Sequence, residues 1–221
     1  MKGLLYKDFS TIWNAYKMNF IFILLIYGIL AYAMDMNFFL YMLVFILSMY
    51  ACSILSFDEA SHWDVYACTL PVKPGQLVAS KYISGLILMG FGFVLALGMS
   101  CIVGLRSESL SEYIGETTAG CCAILIVSML YISLMLPPSW KFGSAKARNY
   151  AFPLYGGVAL LLLGIGTSLL PQAWKEQIKE AVSRITPLQL TIAMIAAFAV
   201  CVALYITSWA VSTAIYRRKE F

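Results

Sequence analysis

The chain has 221 residues, of which 62% are hydrophobic and only 12% charged, and its mean hydropathy is +0.83. A soluble domain carries about twice that share of charge, and a chain this apolar lacks the polar groups to cover a water-facing surface, so lipid is the solvent for much of it. The net charge of +4 favours neither nucleic acid nor an acidic substrate as a partner, and the length suits six spans of about 20 residues with short loops.

Residues 1–17 read as an amphipathic helix lying in the membrane interface. Leu5, Phe9, Ile12, Trp13 and Tyr16 recur at helical spacing on one face, and Lys2, Lys7, Asp8, Asn14 and Lys17 lie elsewhere on the wheel. The other reading makes this stretch an extension of the first span. No small-residue cleavage site follows a short apolar core, so the first apolar run reads as a span and not a leader.

The first span is expected over 18–34 and the second over 38–57, joined by a turn at Asp35, Met36 and Asn37. A loop over 58–81 leads to the third span, 82–105. A short polar loop, 106–116, precedes the fourth span, 117–136, which Pro137 and Pro138 are expected to end. A basic loop over 139–150 leads to the fifth span, 151–170. Residues 171–187 form a polar external loop with a short helix, and the sixth span, 188–216, runs to a basic tail. The fold expected is therefore an all-α integral membrane protein, a single domain over 1–221 with six transmembrane helices behind the interfacial one.

Charge sets the orientation. With the N-terminus inside, the inner segments hold Lys2, Lys7, Lys17, Lys73, Lys81, Lys141, Lys146, Arg148, Arg217, Arg218 and Lys219, eleven of the fifteen basic residues. The outer segments hold Arg106, Lys175, Lys179 and Arg184. The positive-inside rule then places both termini in the cytoplasm of a multi-pass cell-membrane protein. Small residues recur every fourth position at Ala96, Ser100 and Gly104, and at Ala193, Ala197 and Cys201. Such faces pack helices closely, either within the chain or between two copies.

Catalytic and metal-binding patterns are absent from the sequence. The six cysteines form no CxxC pair, and His62 is the one histidine. No P-loop, HExxH or GxSxG motif is present, so the chain carries no ATP site of its own and reads as a non-enzyme with no cofactor. Asp35, Lys81 and Glu116 fall at span ends, and no ionisable residue is expected deep in a span. That weighs against an ion-coupled carrier.

Two inner loops are informative. In FDEASHWDVYACTLPVKPGQLVASKY, Trp63, Tyr66 and Leu70 share one face of a short helix, flanked by Asp58, Glu59 and Asp64 and stopped by Pro71 and Pro74. Exposed aromatics beside acids suit docking of a soluble partner or rest on lipid headgroups. In LPPSWKFGSAKARNY, Lys141, Lys146 and Arg148 suit anionic lipid heads or the same partner.

These loops, with the opening MKGLLYKDF, resemble the permease subunits of ABC-2 type transporters, nearest to the small permeases whose ATP-binding subunit is a separate chain. The matching elements are Asp58, Glu59, Trp63, Tyr66, Thr69, Leu70, Pro71, Val72, Ser80, Lys81 and Tyr82, then Pro138, Lys141, Phe142, Gly143, Lys146 and Arg148. The basic residue that follows the LPV element in that group is here Lys73, with Pro74 directly after it.

The resemblance implies a membrane subunit of an ATP-driven exporter in a bacterial plasma membrane. It implies two permease copies, identical or paralogous, and ATP and magnesium held by the partner subunit. The coupling surface it implies is Asp58, Glu59, Trp63, Asp64, Tyr66, Leu70, Pro71 and Lys73. Members of the group export amphipathic peptides, phenol-soluble modulins and antimicrobial peptides among them. A different class of function also fits the residues: a non-transporting sensor or immunity protein that docks a cytoplasmic partner through the same loop.

Overall fold

The computed structural model describes residues 1–34, 36–67, 69–105, 110–149 and 187–218. Helix α1 spans Lys2–Met34, α2 Phe38–Ala60, the short α3 Trp63–Ala67, α4 Pro74–Gly104, α5 Leu110–Phe142 and α6 Pro187–Arg217. Five of these, all but α3, are long and apolar enough to cross a membrane. The expected span over 151–170 and nearly all of the 171–187 loop lie outside the described residues.

Helix α2 packs against α1, α4 and α5, and α4 also meets α1, α5 and α6. The α2–α4 contact is backbone-close: a Cβ on Gly92 would lie 3.3 Å from the Cα of Val44 and 3.3 Å from Leu47. The small face of α4 serves this packing, since Ala96, Ser100 and Gly104 are all buried. On α6 only Cys201 of the matching set is buried, and Ala193 and Ala197 are exposed.

Two expected boundaries are corrected. No break separates an interfacial segment from the first span; α1 is one helix of 33 residues, about 50 Å long against a hydrocarbon core of about 30 Å. Its buried positions near the N-terminus are Leu4, Asp8 and Ile12, so the packed stripe is rotated from the expected apolar face. Leu5, Phe9 and Tyr16 are half-buried on it, whereas Trp13 is 60% exposed.

The second correction concerns the prolines. Helix α5 runs through Pro137 and Pro138 to Phe142. Pro137 has no N–H for the carbonyl of Ser133, and that carbonyl instead accepts a 2.6 Å bond from Ser208 Oγ of α6. Neighbouring helices re-satisfy backbone freed by proline in this way. With its proton committed to Ser133, Ser208 Oγ accepts from Tyr82 Oη at 2.7 Å, and Ser212 Oγ lies 2.8 Å from the same phenol. Tyr205 Oη donates to the Tyr82 carbonyl at 2.7 Å. One polar chain of buried side chains thus joins α4, α5 and α6.

At the end away from the N-terminus, Thr117 Oγ1 donates to Asn37 Oδ1 at 3.1 Å, tying α5 to the turn before α2. At the other end lie the N-terminus, α3, the start of α4, the end of α5 and Arg217, and this is called the basic end below.

Replacing Tyr82 by Phe is expected to lower the stability of the detergent-solubilised protein by about 0.5–2 kcal/mol, the range of buried interhelical hydrogen bonds. A titration with a denaturing detergent checks this. An unchanged midpoint would mean that the polar chain contributes nothing to helix association.

Candidate functional site

The basic end is built around four charges. Lys7 and Asp8 project from α1, Asp58 from the last turn of α2, and Lys81 from the third turn of α4. Lys81 Nζ lies 2.6 Å from Asp8 Oδ1 and 2.5 Å from Asp58 Oδ2, the second contact being an ion pair without good hydrogen-bond alignment. Lys7 Nζ bonds Asp58 Oδ1 and lies 3.3 Å from Asp8 Oδ1. Each lysine therefore touches both aspartates in a closed ring of alternating sign. Ser84 Oγ adds a 3.5 Å contact to Asp8 Oδ2. The side chains of Asp8, Asp58 and Lys81 are 1% exposed and that of Lys7 is 24% exposed.

Burying one such charge alone costs several kcal/mol, whereas two cations and two anions in mutual contact offset one another. Two sequence expectations are corrected here. Lys81 is not a solvated residue at a span end but lies eight positions inside α4, fully buried. Asp58, expected to face a partner, is turned inward to α1 and α4 and offers that partner no carboxylate.

The ring has a lid. Lys7 Nζ also sits 4.4 Å from the centre of the Trp63 ring, a cation–π contact from α1 to α3. Trp63 is half-buried, and its ring centre lies 5.3 Å from that of Tyr66. The turn into α3 requires a left-handed residue, which His62 supplies at φ 51°, and its side chain is exposed. Helix α3 ends at Ala67, so Leu70 lies in the turn beyond it and does not continue the Trp63–Tyr66 face. Thr69 Oγ1 bonds the Tyr66 carbonyl at 2.8 Å and closes the helix early. Pro71 and Lys73 are exposed, and Lys73 caps α4, whose first residue is Pro74. The side chain of Asp64 lies outside the described set.

Glu59, next to Asp58, faces the other way. Both its oxygens accept from the Ser144 backbone N–H at 2.9 Å, and Oε2 accepts from Ser144 Oγ at 2.6 Å. Residues 144–149 are helical, so the carboxylate caps the start of that turn. The cap depends on Gly143 at φ 88°, which ends α5 with a left-handed turn and aims the Ser144 N–H at Glu59. Arg148 Nη2 donates to Ser56 Oγ at 2.9 Å, a second tie from this turn to α2. Lys141, Phe142 and Lys146 are exposed, and Lys141 Nζ lies 5.1 Å from the centre of the Phe142 ring.

The structure thus brings the two inner loops together at the end of α2 and leaves Val65, Tyr66 and Phe142 as large apolar side chains exposed on the surface, at 57%, 57% and 50%. Sequence reasoning missed Lys7, Asp8 and Lys81 as members of the site. The available signal was their register: Asp8 stands four residues from both Leu4 and Ile12, and Lys81 four from Leu77.

Compared with known protein families, residues 3–217 match the one described as ABC-2 family transporter protein. In comparisons with curated proteins and with solved structures, nothing matches.

Asp58→Asn is expected to cost about 3–5 kcal/mol of stability, because it leaves a buried lysine uncompensated. Adding Lys81→Met should return part of that loss, since Lys7 and Asp8 then remain as a balanced pair. Additive losses in the double variant would show that the ring is not a coupled unit. Gly143→Ala should cost about 1–2 kcal/mol from its left-handed backbone; a thermal shift of no size in that variant would contradict the assigned turn.

Proposed function

The chain belongs to the ABC-2 family of transporter proteins, and from that premise we propose that it is the membrane subunit of an ATP-driven exporter whose ATP, with magnesium, is hydrolysed by a separate subunit docking on the basic end. That end faces the cytoplasm in this reading, which the clustering of basic residues there supports. Six spans complete the subunit. The parallel course of α5 and α6 supports a further crossing over 151–170: Ser133 pairs with Ser208, and Trp140 with Tyr216, so both helices end at the basic end.

The observation that carries the reading is the placement of the exposed knob over the ring of charges. Val65 and Tyr66 protrude from α3, and the same five-residue helix carries Trp63, which rests on Lys7. A partner that grips Tyr66 pulls on Trp63, and through Lys7 and Asp58 on α1, α2 and α4 together. Aromatic anchors of this kind dominate protein interfaces. The cargo in this reading is an amphipathic peptide or other hydrophobic molecule, moved along an apolar cleft between two permease copies.

Mild-detergent purification of the tagged chain should recover a P-loop ATPase. The Val65→Asp, Tyr66→Ala variant should lose that partner by at least about tenfold, the effect of removing one hot-spot side chain, while its elution volume and melting stay unchanged. Recovery of no ATPase, together with export that is the same with and without this chain, would leave the sensor reading standing in place of transport.

A further inference from the structure

Helices α1 and α5 both pack on α2, and between them lies a cleft of about 220 Å³ floored by α2. Its lining is graded along the bundle. Ile23, Ile46 and Met49 line its deeper part, toward the middle of the spans. Ser53, Ser56, Ser139, Ser144 and Arg148 line the part at the basic end. Tyr50 stands on the floor, its phenol receiving a 3.0 Å bond from Asn19 Nδ2 and its ring stacked 4.4 Å from that of Tyr16.

Charge along this gradient has one sign. Arg148 is the only charged residue in the lining. Among the described residues its guanidinium has no carboxylate within ion-pair distance, and it bonds Ser56 Oγ with one nitrogen. Glu59, at the same end of α2, has both oxygens engaged by the N–H and hydroxyl of Ser144. An arginine fork, hydroxyls around it and apolar side chains beneath it fit a phosphate headed outward and a hydrocarbon tail pointed inward. The level of the site also fits: a cation near the end of a span is where anionic headgroups lie.

We infer that this cleft binds one anionic phospholipid from the surrounding leaflet, its phosphate on Arg148, Ser56 and Ser139 and one acyl chain along Ile23, Ile46 and Met49. The walls of the cleft come from α1 on one side and from α5 and the 144–149 turn on the other. Bound there, the lipid bridges the 144–149 turn to the inner half of α1 across the face of α2. The inference stands apart from the transport reading, since it concerns binding that needs neither ATP nor cargo.

The test uses the full-length chain reconstituted in nanodiscs of equal parts phosphatidylglycerol and phosphatidylcholine, then extracted into mild detergent and weighed intact by native mass spectrometry. The wild-type protein should retain one phosphatidylglycerol with about fivefold preference over phosphatidylcholine. Arg148→Gln should abolish the preference, and Arg148→Lys should keep part of it. Lys146→Gln, the same charge change two residues away outside the cleft, should leave it intact. Ile23→Trp, which fills the tail end without altering charge, should lower retention as well, and this variant carries the test if Arg148→Gln melts early.

Equal losses in Lys146→Gln and Arg148→Gln would overturn the inference in favour of a diffuse surface attraction. Retention unaffected by either Arg148→Gln or Ile23→Trp would place the lipid elsewhere. Release of the lipid preference by millimolar inorganic phosphate, with no dependence on Ile23, would identify a small-anion site and overturn the assignment to lipid.

Discussion

The compensation of two lysines by two aspartates at the basic end is the constraint on which the arrangement of the first four helices depends. None of Asp8, Asp58 or Lys81 has solvent to fall back on. Separating α1 from α2 or α4 would strand a charge in an apolar interior, at several kcal/mol for each ion. Apolar packing alone would not fix these helices so firmly, because a lipid tail solvates leucine as well as another helix does. The ring gives α1 a defined place and rotation on α2 and α4, which explains why its packed stripe runs through Asp8 and leaves Trp13 outward.

A second polar device holds the other half. Pro137 frees the Ser133 carbonyl, and Ser208 takes it while accepting from Tyr82. The proline therefore does not end the helix; it creates a docking point for α6 in the middle of an apolar surface. The ring of charges and the hydroxyl chain are both on α4, a single turn of which carries Lys81, Tyr82 and Ser84. Lys81 turns toward α1 and α2, and Tyr82 toward α5 and α6, as the 100° step between adjacent helical residues requires.

How much of this was legible in the sequence follows from what each signal measures. Hydropathy reports which stretches prefer lipid, and Phe38–Ala60 and the core of Leu110–Phe142 emerge from it, whereas Pro74–Gly104 begins eight residues before the expected start at 82. It says nothing of what a charge at the end of an apolar run will meet. Lys7 and Asp8 read as part of an interfacial helix, and Asp58 and Lys81 as the ends of an inner loop, because the Lys7–Asp58 and Lys81–Asp8 pairs join residues 51 and 73 positions apart. The aromatic cluster at Trp63 and Tyr66 was readable from its spacing, and its extension to Leu70 was not, since the early close by Thr69 depends on a side-chain bond. Glycine at 143 was readable only as part of a motif; its reason is a left-handed turn that aims one N–H at Glu59.

Asp58 and Glu59 show how the two halves are joined. They are neighbours at the end of one helix, so their side chains leave about 100° apart. Asp58 reaches α1 and α4 through the ring, and Glu59 reaches Ser144 beyond the end of α5. The last turn of α2 is thus tied by charge-assisted bonds to helices on both sides of it. Helix α3 leaves from that turn after two residues, too few for slack, and returns through Trp63 to Lys7. In the proposed reading a load on α3 passes to α1 and α4 through Asp58, and to α5 and α6 through Glu59 and the Ser133–Ser208 bond.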